Sequence, residues 1–134
     1  MNREIIFKGK RVDNGEWIYG YGAIDNDILT LDFLVGIVRV ECESGTVGQF
    51  TGLHDKNSKG IYEGDIVVCR QYIGGNFVEY CIERGCVEMV FGAFGLHRKQ
   101  GYYRPFKDWL EDYELEVIGN IHDNPELLKE GTDE

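Results

Sequence analysis

Apolar positions in this chain come in short runs, broken every few residues by glycine, asparagine or aspartate. No run repeats at helical spacing for long, so the pattern predicts a mainly β chain with no helix longer than about three turns. Glu4 to Lys10 alternates loosely around Ile5, Ile6 and Phe7, Asp13-Asn14-Gly15 is a turn signal, and Glu16 to Tyr21 is aromatic and strand-like. That sequence of patterns predicts a β-hairpin. Trp17, Tyr19 and Tyr21 lie two apart, which places three rings on one face of a strand. Such a face packs a core against a neighbouring strand, with Trp17 buried; stacking on bases or a peptide is the alternative.

Asp25-Asn26-Asp27 marks the next turn, Ile28 to Leu34 and Ile37 to Glu41 read as strands joined near Gly36, and Glu43-Ser44-Gly45 turns the chain again. The stretch from Val47 to Val68 follows. Gln49, Phe50, Thr51 and Leu53 suit a half-buried strand, and Asp55 to Gly60 is too polar and too rich in turn formers to be anything but a loop. Asn57 and Gly60 are the residues expected to carry its unusual backbone angles. Glu63-Gly64-Asp65 is a tighter turn, after which Ile66, Val67 and Val68 begin a β-branched strand running to about Tyr72. Gly74-Gly75 turns it, Phe77 to Glu83 returns, and Arg84-Gly85 turns once more into Cys86 to Phe91, with bulges or a strand bend expected at Gly92 and Gly95. Pro105 leads into a short helix or turn over Phe106 to Asp112 that holds Trp109. Tyr113 to Ile121 is the last strand, with Leu115, Val117 and Gly119 on one face. Asn124 then caps a short C-terminal helix whose first position is Pro125.

Gly48-Gln49-Phe50-Thr51-Gly52-Leu53, Asp55-Lys56-Asn57 and Ile61-Tyr62-Glu63-Gly64-Asp65-Ile66-Val67 closely resemble the YopX-like family of phage and prophage proteins. The resemblance extends to Phe7-Lys8-Gly9-Lys10, Trp17-Ile18-Tyr19-Gly20, Gly92-Ala93-Phe94 and Glu116 to Leu128, and so covers nearly the whole chain. It implies a small, phage-borne, β-rich protein whose C-terminal region resembles an SH3-like β-barrel. It carries over no catalytic residues, and residues 71–86 match no family pattern. Together with the patterning it gives an N-terminal β-hairpin and sheet subdomain over 1–60, an SH3-like barrel with a short helix over 61–130, and an acidic tail over 131–134.

A chain of 134 residues is one domain, or two small subdomains. The net charge of −10 repels nucleic-acid phosphates at long range, so general nucleic-acid binding is not expected; it favours solubility and a basic protein partner. The longest apolar runs are a few residues, too short to span a membrane, and the N-terminus carries no signal-peptide pattern. A cytoplasmic protein of a bacterial host cell is expected, and a homo-oligomer is compatible with it. Cys42, Cys69, Cys81 and Cys86 contain no Cys-x-x-Cys and are expected to stay reduced in the cytoplasm, and Cys69 and Cys81, inside apolar strands, read as small core residues. A zinc site from Cys81, Cys86 and a histidine would lack the close ligand pairs of structural sites, so no metal and no cofactor is expected.

His54, His97 and His122 stand apart in sequence, with no nucleophile elbow or His-x-x-x-His nearby, so a non-enzymatic protein-binding module is the leading expectation. Gln49, Thr51, His54, Asp55 and Lys56 are the candidate contact residues for a host or phage protein, on a strand and the loop that follows it, and turn chemistry alone could also explain that loop. The alternative is a nucleic-acid-interacting regulator using the one stretch that interleaves cations and rings: Arg98, Lys99, Tyr102, Tyr103, Arg104 and Lys107.

Overall fold

The computed structural model describes residues 6–73, 76–90, 93–98, 103–105 and 113–128, with side chains undescribed at 71–73, 76–83, 90, 97, 98, 103–105 and 113. Within these residues the chain is built from antiparallel strands, and it divides into two units, Met1–Gly52 and Leu53–Glu134.

In the first unit, β1 (Phe7–Lys10) and β2 (Trp17–Gly20) form the expected hairpin, in the register Phe7↔Gly20 to Lys10↔Trp17. Gly15 takes a φ of +72° in its turn. β6 (Gly48–His54) pairs with the other edge of β1 through Phe7↔Gln49 and Lys8↔Gly48. A second sheet runs β3 (Gly22–Ile24), β4 (Asp27–Asp32), β5 (Gly36–Glu41) in that order. Ile28, Cys42 and Phe50 are buried here. Two glycines allow the close approach around Ile28. A Cβ at Gly20 would lie 2.1 Å from the Leu29 carbonyl oxygen and 2.5 Å from Ile28 Cγ2, and one at Gly9 would lie 2.7 Å from Cys42 Sγ. The aromatic face departs from expectation. Trp17 is half-buried, with the Lys8 ammonium 4.8 Å from its ring centroid, and Tyr19 and Tyr21 are exposed. The glycines, not the rings, make the tight contact.

In the second unit, β7 (Gly60–Tyr62) lies beside the end of β6. β8 (Asp65–Ile73), β9 (Asn76–Val90), β10 (Ala93–Arg98), β11 (Tyr103–Pro105) and β12 (Tyr113–Asn120) form a five-stranded sheet in the order β11-β10-β9-β8-β12. Its core is Ile61, Val67, Cys69, Val87, Leu96 and Leu115, with Leu53, Phe94 and Val117 packed against it. In β8 the consecutive residues Ile66 to Cys69 are all buried, so side chains on both faces of that strand are covered, while on β12 Leu115 and Val117 two positions apart reach the same core.

Four expectations are corrected. Among the described residues no sheet closes into a barrel, because β11 and β12 end up at opposite edges of the five-stranded sheet. The short C-terminal helix is a single 3-10 turn, Pro125–Leu128. The Asn124 side chain faces backward and accepts from the Asn120 amide at 3.3 Å, so it does not cap the turn ahead. Arg84-Gly85 is not a turn: β9 runs straight through it, with Val68↔Arg84 and Val67↔Gly85 in unbroken register, and the irregularity falls at Arg70/Gln71 instead.

Candidate functional site

The β4–β5 hairpin is closed by the pair Asp32↔Gly36, which leaves Phe33, Leu34 and Val35 as its turn. Its base is polar. Asp32 Oδ1 accepts the amide of Leu34 at 2.7 Å and that of Val35 at 3.2 Å, an arrangement typical of aspartate at turns. Gly36 returns the chain at a φ of +91°, a left-handed value that favours glycine. With the backbone fixed this way, the three apolar side chains have nowhere to pack. Phe33 is 100% exposed, Leu34 95% and Val35 73%. Leu31, Ile37 and Tyr21 are also exposed beside them. Scattered surface apolar residues are ordinary, but a contiguous patch marks an interaction surface.

Below this crown the same sheet carries a groove of about 320 Å³, lined by Tyr21, Gly22, Leu29, Thr30, Leu31 and Ile37. Leu31 faces Ile37 across the β4–β5 ladder, and Leu29 faces Gly22 across β3–β4. Gly22 leaves the space open; a Cβ there would lie 3.3 Å from Leu29 Cδ1. Farther from the crown, Arg39 donates to Asp27 and lies 3.8 Å from Asp25. The hairpin therefore combines an apolar end and an apolar groove with a predominantly acidic base.

The loop between β6 and β7 is built differently. Asp55 is buried, and its carboxylate holds the loop together. Oδ1 accepts the amides of Asn57 and Lys59, each at 2.9 Å, and Oδ2 accepts the Val117 amide on β12 at 3.0 Å. The Asp55 amide donates to the Lys59 carbonyl at 2.8 Å, and the Lys56 amide to the Leu115 carbonyl at 2.9 Å. Burial alone would raise the Asp55 pKa, but the amides of Val117, Lys59 and Asn57 outweigh it and hold the carboxyl below its ordinary value. Because one oxygen gathers two amides, the crest of the loop falls at Ser58, which takes a φ of +66°; neither Asn57 nor Gly60 carries the positive angle. Of the other candidate contact residues, Thr51 is buried, Gln49 half-buried, and His54 and Lys56 exposed. Lys56 Nζ lies 3.6 Å from Glu116, which Arg70 also reaches at 3.3 Å.

The basic and aromatic stretch lies mostly outside the described residues. Lys99, Tyr102 and Lys107 are not described, and for Arg98, Tyr103 and Arg104 only the backbone is, with Tyr103 and Arg104 paired to His97 and Leu96. Trp109 and the helix or turn expected over residues 106–112 also lie outside them, as does the Cys81 side chain. Cys42, Cys69 and Cys86 are buried thiols. Burial and the nearby acids Glu88, Asp65 and Glu63 push the Cys86 thiol up to about 12. Among the described residues no group of three or more histidine, cysteine, aspartate or glutamate side chains is arranged to hold a metal ion, and no helix is long and apolar enough to cross a membrane.

These features define a mainly β protein of two units that, among the described residues, carries an exposed apolar hairpin. The chain belongs to the YopX family: the model of the YopX protein matches residues 9–129. No curated protein matches it.

The sequence reading missed the crown because it ran the first strand through Leu34. Two signals bracket the turn: Asp32, whose carboxylate can take the amides ahead of it, and Gly36, which can return the chain.

Proposed function

We propose that the chain is a non-enzymatic protein-binding module, a phage or prophage accessory protein that works in the bacterial cytoplasm and contacts its partner through the β4–β5 hairpin. The single observation that carries this reading is the end-to-end exposure of Phe33, Leu34 and Val35 on a turn whose backbone is fixed by Asp32. Rigid turns that present apolar anchors suit insertion into a partner's pocket, where a few buried side chains supply most of the binding energy. Buried thiols at Cys42 and Cys86 suit a reducing compartment. The experiment is affinity capture from phage-infected host cells with the wild-type chain and with the Phe33→Ser/Leu34→Ser double variant as baits. Capture by the wild type and its loss in the folded variant support the reading. Equal capture by both moves the contact surface elsewhere, and His54→Ala/Lys56→Ala then becomes the informative bait.

A further inference from the structure

We infer that the groove of the β3–β4–β5 sheet is a socket for the Phe33-Leu34-Val35 crown of a second copy of this chain, the two copies clasping each other's hairpins about a twofold axis. The inference rests on the reading of the hairpin as a protein-contact surface and names its occupant.

Plug and socket lie on one sheet. The crown begins where the groove ends, at the cross-strand pair Leu31↔Ile37. Turning one hairpin over and laying it on another sets each crown on the other's groove, so both contacts form at once, as an isologous interface requires. The chemistry also matches. The groove is lined by apolar side chains, with Thr30 and Gly22 as the exceptions. Its volume of about 320 Å³ is at the lower limit for a ligand site and takes one or two of the crown's side chains, the rest lying against its rim.

The exposed area is sufficient. Tyr21 and Phe33 each account for roughly 150–250 Å² when buried. With Leu31, Leu34, Val35 and Ile37 added, the patch approaches the ~800 Å² per partner of a standard interface.

Charge selects against an anionic occupant, and the response to salt separates a basic protein from a second copy. The hairpin from Tyr21 to Glu41 carries Asp25, Asp27, Asp32 and Glu41 against Arg39 alone. An anionic lipid surface is repelled by that balance. A basic-rimmed protein would be attracted, and its binding would weaken as salt is added. Two copies of a chain of net charge −10 repel one another at a distance, so a clasp held by apolar burial tightens as salt screens that repulsion.

Sedimentation equilibrium on the full chain at low and high sodium chloride tests the clasp, with three variants that act on different halves of it. Phe33→Ser and Leu34→Asp remove the plug at fully exposed positions. Gly22→Val fills the socket and leaves the plug intact; Gly22 does not hold a left-handed angle, so a side chain is conformationally allowed there. Circular dichroism and the melting temperature confirm that each variant is folded. The expected result is a species of twice the 15.4 kDa chain mass, a dissociation constant that falls at least several-fold at high salt, and a rise of tenfold or more in each variant. A chain that stays at 15.4 kDa up to several hundred micromolar at both salt concentrations overturns the clasp, as does a dimer unmoved by the plug variants. If Gly22→Val fails to fold, the two plug variants decide the outcome alone. Co-sedimentation of the chain with phosphatidylcholine–phosphatidylglycerol vesicles, lost in Leu34→Asp, would overturn it in favour of a lipid surface. A monomeric chain whose capture of another protein still depends on Phe33 would remove the second copy and leave the protein-contact reading standing.

Discussion

Replacing Asp55 by asparagine changes almost nothing in shape and reverses one hydrogen bond. In the wild type, Oδ1 serves the amides of Asn57 and Lys59 while Oδ2 serves the Val117 amide. An asparagine carbonyl can keep the first two, but its NH₂ then faces the Val117 N–H, donor against donor. That amide sits on β12 beside the buried Leu115, and losing its acceptor costs about 1–3 kcal/mol. Asp55→Ala loses all three bonds. Asn57 and Lys59 are exposed, so water takes over their amides and each loss costs about 0.5–1.5 kcal/mol. The alanine variant should therefore lose about 2–6 kcal/mol in total, more than the asparagine variant. Urea denaturation at pH 7, compared among the three chains, reads both values. The pH dependence supplies an independent check. The folded Asp55 pKa lies below the unfolded value of about 3.9, so its contribution is fully present above that pH and is lost as pH falls through the lower folded value. The stability gap between wild type and Asp55→Asn should narrow below about pH 4. An asparagine variant as stable as the wild type at pH 7, or a gap that widens in acid, would refute this account of the loop.

Other consequences follow from the packing. Gly20→Ala drives a Cβ into the Leu29 carbonyl oxygen, which is backbone and cannot swing aside, so it should destabilise the first unit by about 1–3 kcal/mol or more, read as a lower urea midpoint. Cys86, with its thiol raised to about 12, and Cys42, whose thiol burial also raises, should resist iodoacetamide at pH 8 in the folded chain and react once it is unfolded in urea; mass spectrometry of the alkylated chain checks this. Asp32→Ala removes the acceptor for the Leu34 and Val35 amides in an exposed turn, so it should cost about 0.5–2 kcal/mol and loosen the crown, read as faster amide exchange at both residues.

Local punctuation makes most strands legible in the sequence. Asp13-Asn14-Gly15, Glu43-Ser44-Gly45 and Glu63-Gly64-Asp65 each turn the chain where the residues require it, with Gly15, Gly45 and Gly64 all at positive φ. What failed was decided by contacts far apart in sequence. Arg84-Gly85 looks like a turn locally, yet its backbone is held in strand by Val68 and Val67. Gly9 and Gly20 look like weak points in strands, yet they are where Cys42, Ile28 and Leu29 approach most closely. The role of Asp55 was half legible: its bonds to the loop are local, while its bond to Val117 spans 62 positions and no local pattern announces it. The crown was hidden for the opposite reason. Phe33, Leu34 and Val35 are apolar, and an apolar run reads as buried strand unless the flanking Asp32 and Gly36 are weighed as a turn.

Site-specific photo-crosslinking in the producing bacterium tests the central claim most directly. A photo-reactive phenylalanine analogue replaces Phe33 in one strain and Lys56 in another, which compares the apolar crown with the polar loop at two exposed positions. The account predicts a discrete protein adduct from position 33, whether a second copy or another protein, and none from position 56. Adducts from position 56 with none from position 33 would contradict it.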